Sequence, residues 1–376
     1  MSLSSDDRQR YARHLTLPQV GESGQLRLRA ASVLLVGLGG LGSPAALYLA
    51  AAGVGRLGLL DHDDVAVHNL QRQIVHDTPG VGTPKVQSAA ARLAALNPSV
   101  QLDTWQVALT RDNARALVRD YDVVLDGTDT FATRYLLNDA CVLEGRALVH
   151  ASVHRFEGQL AVFDAQRGPC YRCLHPTPPP AGSVPSCAEG GVLGVLPGLL
   201  GTLQATEALK LILGIGEPLI GRLLAIDALA MRTREVRFDR DPACEWCGRE
   251  RPSELLPDYA AFCGESSVTT TRARAITPTA LAERLERGDI VLVDVREDWE
   301  LATASVAGAR HIPMSLIPAQ LALLPRDRTI AVLCHHGQRS AMVADYLRSA
   351  GFREVLNVTG GIDRWSVDVD ARVRRY

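Results

Sequence analysis

The chain has 376 residues, which is too long for one ordinary domain and fits two or three. Its 40 Lys and Arg residues against 42 Asp and Glu residues give a formal charge of −2, so the strongly basic balance of a nucleic-acid-binding protein is absent. Hydrophobic residues make up 47% and aromatic residues 5%, which excludes wholesale disorder and predicts α/β cores filled by Ala, Leu and Val.

The sequence predicts no contact with a membrane. Its longest apolar stretch, residues 192–216, is interrupted by Pro197, Gln204 and Glu207, which favours a buried helix over a bilayer span. The first residues, MSLSSDDRQRYARHL, lack the apolar core of a secretory signal. We therefore expect a cytoplasmic protein whose eight cysteines are thiols or metal ligands rather than disulfides.

A nucleotide-binding pattern begins at residue 32. A short apolar strand, 32–36, leads into a G-x-G-x-x-G turn, and a second strand, 56–60, ends at Asp61. Such a turn lets a phosphate approach the start of a helix, and the acid is placed for a ribose hydroxyl. The alternative is a turn whose glycines serve packing only. The glycines of this turn are Gly37, Gly39, Gly40 and Gly42.

The residues that follow favour a triphosphate over the pyrophosphate of a dinucleotide. Asn69, Arg72, Gln73 and Lys85 come next in the chain, and two cations there suit three phosphates. Taken alone, Arg72 and Lys85 are typical of solvated surface charges. An NAD-dependent oxidoreductase with a zinc site therefore stays as an alternative, although it leaves these cations without a purpose.

A third strand, predicted over 122–125, ends in DGTDTF. Asp126 and Asp129 lie at its carboxyl end, where ligands of open α/β sheets bind and where a carboxylate can hold Mg²⁺. The simpler interpretation makes Asp129 the N-cap of a helix over 132–143.

Two CxxC pairs, Cys170 with Cys173 and Cys244 with Cys247, predict one structural zinc site with four thiolate ligands. The alternative is two redox dithiols, which is less favoured because neither pair is expected to open a helix after a strand. Between the pairs, Cys187 lies on a Pro- and Gly-rich stretch that predicts an accessible, reactive loop thiol; the alternative is an inert one.

Residues 7–250 resemble the MoeB/ThiF family, relatives of ubiquitin-activating enzymes that adenylate small sulfur carriers. The segments that carry the resemblance are RYARHL, GLGGLG, LLDHD, NLQRQ, TPK, DGTD, the two CxxC pairs and the Cys187 loop. The resemblance implies that ATP is bound by the glycine turn and the polar residues after it, with Arg72 and Lys85 at the phosphates. The implied polar contacts are Asp61, Asn69, Arg72, Gln73, Lys85, Asp129 and Thr130.

The resemblance also implies roles beyond ATP contact. Asp129 governs Mg²⁺, and Arg13 reaches the ATP site of a partner subunit, which implies a homodimer. The family usually has Asn where this chain has Thr130, so a contact made by that amide is in doubt.

The region from 275 to 376 shows a second α/β pattern after an expected linker over 251–274. A helix is predicted to be capped at Thr277, and a buried strand leads into a loop from Cys334 to Ser340, before a helix from 341. Loop N–H groups, the helix N-terminus and Arg339 predict a low pKa for the Cys334 thiol. The alternative is a buried structural cysteine.

This region resembles a rhodanese (sulfurtransferase) domain in DVRE, AGARHIP, the CHHGQRS loop and GGIDRW. The resemblance implies that Cys334 accepts sulfane sulfur as a persulfide. His335 and His336 tune the loop in one interpretation and are merely exposed in the other.

Together the two resemblances imply a Rossmann-like adenylation domain (1–250) with a mixed sheet and structural zinc, followed by a small rhodanese domain (275–376). The expected substrate is a ubiquitin-like sulfur carrier with a C-terminal Gly-Gly, adenylated by ATP with Mg²⁺ and converted to a thiocarboxylate. Cys187 forms a thioester or resolves an acyl-disulfide, and a cysteine desulfurase or thiosulfate donates sulfur. Alternatives are an activator for protein conjugation and a non-catalytic scaffold.

Overall fold

The computed structural model describes residues 2–179, 191–263 and 275–376. The chain divides into two compact units, Met1–Ser266 and Ser267–Tyr376. In the part of the chain that is described, no helix combines the length and the apolar character needed to cross a bilayer. The exact domain limits proposed from the sequence, 1–250 and 275–376, stay a prediction.

The first unit is built on an eight-stranded sheet in the order β3-β2-β1-β4-β5-β6-β7-β8. Strands β1 to β5 pair in parallel, and β6 to β8 continue the sheet antiparallel. The fold class expected from the sequence, a Rossmann-like mixed sheet, is therefore confirmed. The strands are β1 (Ser32–Val36), β2 (Arg56–Leu60), β3 (Gln101–Trp105), β4 (Val123–Asp126), β5 (Ala147–His154), β6 (Glu157–Phe163), β7 (Arg222–Asp227) and β8 (Arg232–Arg237).

Helices cover both faces of this sheet. In β1, Val33 and Leu35 belong to the core on one face, and Leu34 and Val36 to the core on the other. A strand buried on both faces is apolar throughout, which is why SVLLV shows no alternation. The helices are α1 (Ser5–Arg10), α2 (Ala12–Leu15), α3 (Gly21–Ala30), α4 (Gly42–Ala52), α5 (Lys85–Leu96), α6 (Arg111–Arg119), α7 (Phe131–Glu144), α8 (Tyr171–Leu174), α9 (Val195–Leu213) and α10 (Tyr259–Phe262).

Two local features add detail to the boundaries expected from the sequence. The buried helix expected within residues 192–216 is α9, which begins at Val195, with Pro197 in its first turn where a missing N–H costs nothing. Residues 251–263 belong to the segment expected to be a linker, and in the structure Leu255, Tyr259 and Cys263 are buried in the core of the first unit. Residues 264–274 lie outside the described residues.

The second unit is a five-stranded parallel sheet in the order β11-β10-β12-β13-β9. Its strands are β9 (Ala275–Ile276), β10 (Ile290–Asp294), β11 (Arg310–His311), β12 (Thr329–Leu333) and β13 (Val355–Val358). Its helices are α11 (Pro278–Glu286), α12 (Asp298–Thr303), α13 (Gln338–Ser349) and α14 (Gly361–Asp368), with a kinked 3-10 segment over Met314–Leu323. Thr277 caps α11 as predicted, accepting a hydrogen bond from Ala280 N at 3.3 Å.

Candidate functional site

A cleft opens at the carboxyl ends of β1 and β4, where the strand order reverses and ligands of such sheets bind. The backbone is tightly packed there: Gly37 has φ of +90°, and a Cβ on it would lie 2.8 Å from the Gly127 carbonyl oxygen. A Cβ on Gly42, at the start of α4, would collide with the Gly37 carbonyl oxygen. Glycine is therefore required at both positions, as the sequence pattern predicts.

Asp61 braces the glycine turn from the end of β2. Its Oδ2 accepts a hydrogen bond from Leu38 N at 2.8 Å, and its Oδ1 accepts one from Asp63 N at 2.9 Å. A carboxylate has about four acceptor positions, so the predicted ribose contact remains available to it. Gly40 faces α9 across the turn, where a Cβ would lie 3.0 Å from Cβ of Pro197.

Lys85 brings a buried positive charge into the cleft at the first position of α5. Its Nζ lies 2.7 Å from Asp63 Oδ2 and 3.9 Å from Asp61 Oδ2. Although burial opposes the shift, the Lys85 ammonium holds the pKa of Asp63 below its usual value. The positive N-terminal end of α5 disfavours a cation at its first position, and the carboxylates of Asp61 and Asp63 offset that repulsion. An anionic ligand bound in the cleft can offset it in their place.

Arg72 and Gln73 follow a short 3-10 turn, Val67–Asn69, that sets their direction. Their backbone N–H groups both donate to the Asn69 carbonyl oxygen, at 3.0 Å each. Gln73 is buried, and its Oε1 has no hydrogen-bond partner among the described residues. A buried amide oxygen without a partner is costly, so this atom fits a polar ligand in the cleft.

Thr130, not Asp129, is the N-cap of α7: its side chain accepts from Thr133 N at 3.3 Å. The simpler interpretation of Asp129 as the cap was therefore wrong. Thr130 takes the cap because its hydroxyl reaches the third residue of the helix. The Asp129 carboxylate is left exposed at the cleft.

The cleft brings together nine of the residues predicted to bind ATP. Gly42 instead lies buried at the start of α4, and Asn69 turns its Oδ1 toward Ala66 N at 3.3 Å. Arg13 is exposed on α2 and does not line the cleft of its own chain, so its role at a partner's site stays a prediction. The predicted residues in the lining are Gly37, Gly39, Gly40, Asp61, Arg72, Gln73, Lys85, Asp129 and Thr130.

Sequence reasoning missed Arg134, which also lines the cleft. Its Nη2 donates to the Thr128 carbonyl oxygen at 3.3 Å, and its guanidinium lies 5.2 Å from the Phe131 ring centre. Its Nε is buried and has no partner among the described residues. A cation one turn into the helix after DGTDT was the available signal.

A buried pair of side chains, Asp126 and His150, supports the DGTD turn from the protein interior. His150 Nδ1 lies 2.7 Å from Asp126 Oδ2, and Asp126 Oδ1 accepts from Thr128 N and Oγ1 at 2.9 and 2.7 Å. Burial lowers the pKa of His150 despite the bond to Asp126. Asp126 therefore holds the turn that presents Asp129, and does not itself line the cleft.

The four CxxC sulfurs form one cluster. The Sγ atoms of Cys170 and Cys244 are 3.7 Å apart, those of Cys173 and Cys247 are 3.3 Å apart, and those of Cys170 and Cys173 are 3.9 Å apart. Four sulfurs at about 2.3 Å from one tetrahedral zinc ion are roughly 3.8 Å apart, so the donor set and its spacing fit zinc. Two independent dithiols do not explain the cluster.

One argument used for zinc was wrong, because Cys170 does open a helix, the short α8. The clustering carries the argument instead. Arg172, between two of the cysteines, forks onto buried Asp139 with bonds of 2.8 and 2.7 Å. Its guanidinium also lies 4.8 Å from the ring of Trp246, in the other CxxC pair. These contacts hold the two pairs together independently of a metal.

The candidate site of the second unit lies between β12 and α13. Cys334 follows β12 directly, is 1% exposed, and its Sγ accepts hydrogen bonds from Gly337 N at 3.1 Å and Ser340 Oγ at 3.2 Å. The helix was expected to start at 341, but it starts at Gln338 because Gly337, with φ of +95°, turns the chain into it. Four residues, 334 to 337, therefore form the loop.

Arg339 lies in the first turn of α13 and forks onto Glu300, with bonds of 2.7 and 2.6 Å. The sequence pointed to Arg339 but missed Glu300 and Ser340. His335 is half-buried and stacks on His336 and on Tyr376, at 3.9 and 4.3 Å between ring centres. Burial lowers the pKa of His335 to about 4, so it is neutral near pH 7. Cys187 lies outside the described residues.

Comparison with known proteins gives matches along both units. The family model described as ThiF family matches residues 11–246, and the one described as Rhodanese-like domain matches residues 277–368. The probable adenylyltransferase/sulfurtransferase MoeZ of Mycobacterium tuberculosis is 45% identical, over 100% of this chain and 97% of its own length. The adenylyltransferase and sulfurtransferase MOCS3 of Mus musculus is 42% identical, over 100% of this chain and 88% of its own.

A third relative is named for adenylyl transfer to a sulfur carrier. The sulfur carrier protein adenylyltransferase of Thermus thermophilus is 52% identical, over 70% of this chain and 99% of its own length. Among solved structures, E. coli MccB with MccA-N7isoASN has a TM-score of 0.58 at 21% identity, covering 66% of this chain and 76% of that chain. At that identity the structural match shows the fold alone.

Proposed function

The chain belongs to the ThiF family and carries a rhodanese-like domain, and we propose that it adenylates the C-terminal glycine of a ubiquitin-like sulfur carrier and then delivers sulfur to it. The observation that carries the proposal is the pairing of two sites: a polar cleft behind a glycine turn, and a cysteine sulfur held by loop and helix donors. Relatives named for both activities match the full chain, which supports it.

In the first step, a carboxylate oxygen of the carrier attacks the α-phosphorus of ATP, and the bond to pyrophosphate breaks. Pyrophosphate leaves with the bonding electrons, and a mixed anhydride of the carrier and AMP remains. A carboxylate is already deprotonated, so no general base is needed. Arg72 and Lys85 neutralise the charge that moves onto pyrophosphate, and Asp61 holds the ribose.

Asp129 is proposed to hold Mg²⁺ because its carboxylate is exposed at the cleft and oxygen is the ligand this ion prefers. When bound, Mg²⁺ would supply further neutralisation of phosphate charge. Arg13 is proposed to act in the cleft of a second subunit, which requires a homodimer. Cys170, Cys173, Cys244 and Cys247 are proposed to hold one structural Zn²⁺.

In the second step, the Cys334 thiolate takes a sulfane sulfur from a donor and becomes a persulfide. Its terminal sulfur attacks the carrier's acyl carbon, AMP leaves, and an acyl-disulfide joins the carrier to Cys334. A second thiolate then attacks Cys334 Sγ, the S–S bond breaks, and the carrier leaves as a thiocarboxylate. The resulting disulfide is reduced by a cellular dithiol.

Cys187 is the proposed second thiolate. In the other route, Cys187 first captures the acyl group as a thioester, which the persulfide then attacks. Mass spectrometry of the protein after incubation with carrier and ATP separates the two, since only the thioester route links the carrier to Cys187 without a sulfur donor.

The test uses the full chain and one panel of Gly-Gly carriers, including those of molybdopterin, thiamin and tRNA thiolation. Asp129→Ala should abolish carrier-dependent exchange of labelled pyrophosphate into ATP and leave thiosulfate:cyanide sulfur transfer intact. Cys334→Ala should do the reverse. Asp112→Asn, an exposed acid on α6, is the matched control and should change neither activity. Absence of exchange with every carrier would overturn the proposal.

A further inference from the structure

A second set of charged side chains lies behind the Cys334 loop and plays no part in the proposed chemistry. Glu300, on α12, accepts both bonds of the Arg339 fork and is itself only 4% exposed at its side chain. Its Oε2 also accepts from Glu297 N at 2.9 Å. Although burial opposes the shift, the Arg339 fork holds the pKa of Glu300 below its usual value, so the pair is ionised at pH 7.

Tyr376 joins this pair to the loop. Its hydroxyl donates to Glu300 Oε1 at 3.1 Å and accepts from Arg296 Nη1 at 2.5 Å. Arg296 is fully buried and forks onto Asp294 at the end of β10, so it is a fixed donor. The Tyr376 ring stacks on His335, with 4.3 Å between centres and 13° between planes.

Tyr376 therefore contacts two parts of the sulfur site, the loop residue His335 and the Glu300 carboxylate that holds Arg339. Its ring fixes the residue directly after Cys334, and its hydroxyl fixes the carboxylate that orients Arg339. Arg339 adjoins Ser340, whose hydroxyl reaches Cys334 Sγ. Movement at either end shifts a donor of that sulfur atom, because loop and helix turn share one short stretch, Cys334–Ser340.

We propose that Tyr376 and Glu300 are positioning residues for sulfur transfer, because they hold the loop and the first turn of α13 so that Gly337 N and Ser340 Oγ stay on Cys334 Sγ. The inference rests on the proposed function of Cys334. During loading from thiosulfate, the thiolate attacks the outer sulfur, the S–S bond of thiosulfate breaks, and sulfite leaves. A displaced Sγ slows this step without weakening donor binding, since reacting atoms must lie about 3–3.5 Å apart in line.

The experiment separates the ring of Tyr376 from its hydroxyl in the full chain. Tyr376→Phe keeps the stack and loses both hydrogen bonds; Tyr376→Leu loses both features; Glu300→Gln weakens the Arg339 fork. In the thiosulfate:cyanide assay we expect kcat to fall about 3- to 10-fold for Tyr376→Phe and about 10- to 100-fold for the other two, with KM unchanged. Tyr346→Phe, on the exposed face of α13, should match wild type.

A second readout excludes a merely structural effect. The pH profile of iodoacetamide alkylation at Cys334, followed by peptide mass spectrometry, should shift in Tyr376→Leu and Glu300→Gln and stay in place for Tyr346→Phe. The inference would be overturned if Tyr376→Leu and Glu300→Gln both kept the wild-type kcat, or if kcat fell only in proportion to the loss of folded protein. Wild-type protein without any sulfane transfer would instead overturn the proposed function.

Discussion

The two candidate sites differ in how far their polar atoms are satisfied. In the first unit, the cleft leaves buried atoms without partners among the described residues, namely Gln73 Oε1 and Arg134 Nε, and leaves Asp129 exposed. In the second unit, Cys334 Sγ already accepts two hydrogen bonds and two nitrogens of Arg339 donate to Glu300, whereas His335 Nε2 in the same loop is buried without a partner among the described residues.

This difference follows from what each site is proposed to hold. A triphosphate is a large, highly charged ligand whose oxygens complete unsatisfied donors and acceptors, so an open and unsatisfied cleft is expected without it. A sulfane sulfur adds only one atom to a cysteine, so the fold can place the hydrogen-bond donors around that atom before it binds. The polar groups of the first site are therefore completed by the ligand, whereas the two hydrogen bonds to Cys334 Sγ are supplied by the fold.

The largest effect is expected from a variant that destabilises the first unit and leaves the second unit folded. Cys173→Ala removes a ligand of the cysteine cluster, and the remaining close thiolates lose the cation that offsets their repulsion. We expect bound zinc to fall below detection by elemental analysis and the first unit to lose about 3 kcal/mol or more of its free energy of unfolding. Thiosulfate:cyanide transfer by Cys334 should persist.

Cys141→Ala is the matched control for that experiment. Cys141 is a buried thiol outside the cluster, and burial raises its pKa well above the usual value. Its loss should keep the metal and cost about 1 kcal/mol. Equal destabilisation by both variants, with no zinc found in wild type, would contradict a structural metal.

An effect of intermediate size is expected at the glycine turn, where two variants separate the cost of the backbone conformation from the cost of a steric collision. Gly37→Ala and Gly82→Ala each place a side chain at a left-handed φ, of +90° and +85°, but only Gly37 has an atom in the way. Both should lose about 1 kcal/mol from the backbone. Gly37→Ala should lose about 1–3 kcal/mol more through its collision with Gly127, and should weaken ATP binding. Urea midpoints and calorimetric titration measure the two effects.

The smallest expected effect concerns pH and the second unit. The pKa of His335 is about 4, below its usual value of 6.5, so its contribution to stability is complete above pH 6.5 and is lost as the pH falls toward 4. His335→Phe keeps the ring stack on Tyr376 and should remove the fall in the free energy of unfolding of the second unit between pH 6.5 and 4 that His335 causes. Glu300 and Asp363, whose pKa values are also lowered, add their losses at more acidic pH in both proteins.

Denaturant-dependent oxidation of Met314, read by mass spectrometry, follows this unit specifically, because Met314 packs against its core. Parallel profiles of wild type and His335→Phe between pH 6.5 and 4 would assign the titration to another group.

Local motifs were predictable from the sequence, and contacts between distant segments were not. The glycine turn, the CxxC pairs and the loop after β12 are each encoded within a few residues. Glu300 lies 39 residues before its partner Arg339, and Tyr376 lies 76 residues after its partner Glu300. No spacing rule in the sequence connects either residue with the Cys334 loop. The bond between Asp126 and His150 depends on strand pairing, which places β5 beside β4.

Two helix starts were misjudged, one set by a backbone conformation and the other by a choice between adjacent capping residues. Gly337 starts α13 through its left-handed φ, and the polar run Gln-Arg-Ser hid this start. At α7, two candidate caps are adjacent, Asp129 and Thr130, and only the geometry selects the threonine.

A metal held by the cysteine cluster would link distant parts of the chain. Its paired cysteines are 74 positions apart, so a metal bound to all four closes a loop that contains α9, β7 and β8. If it behaves as a covalent cross-link does, it removes conformational entropy equivalent to about 4 kcal/mol from the unfolded chain. Residues 275–376 contain a single cysteine, so this part of the chain cannot form a four-cysteine cross-link of its own, and its stability depends on the packing of its sheet and helices.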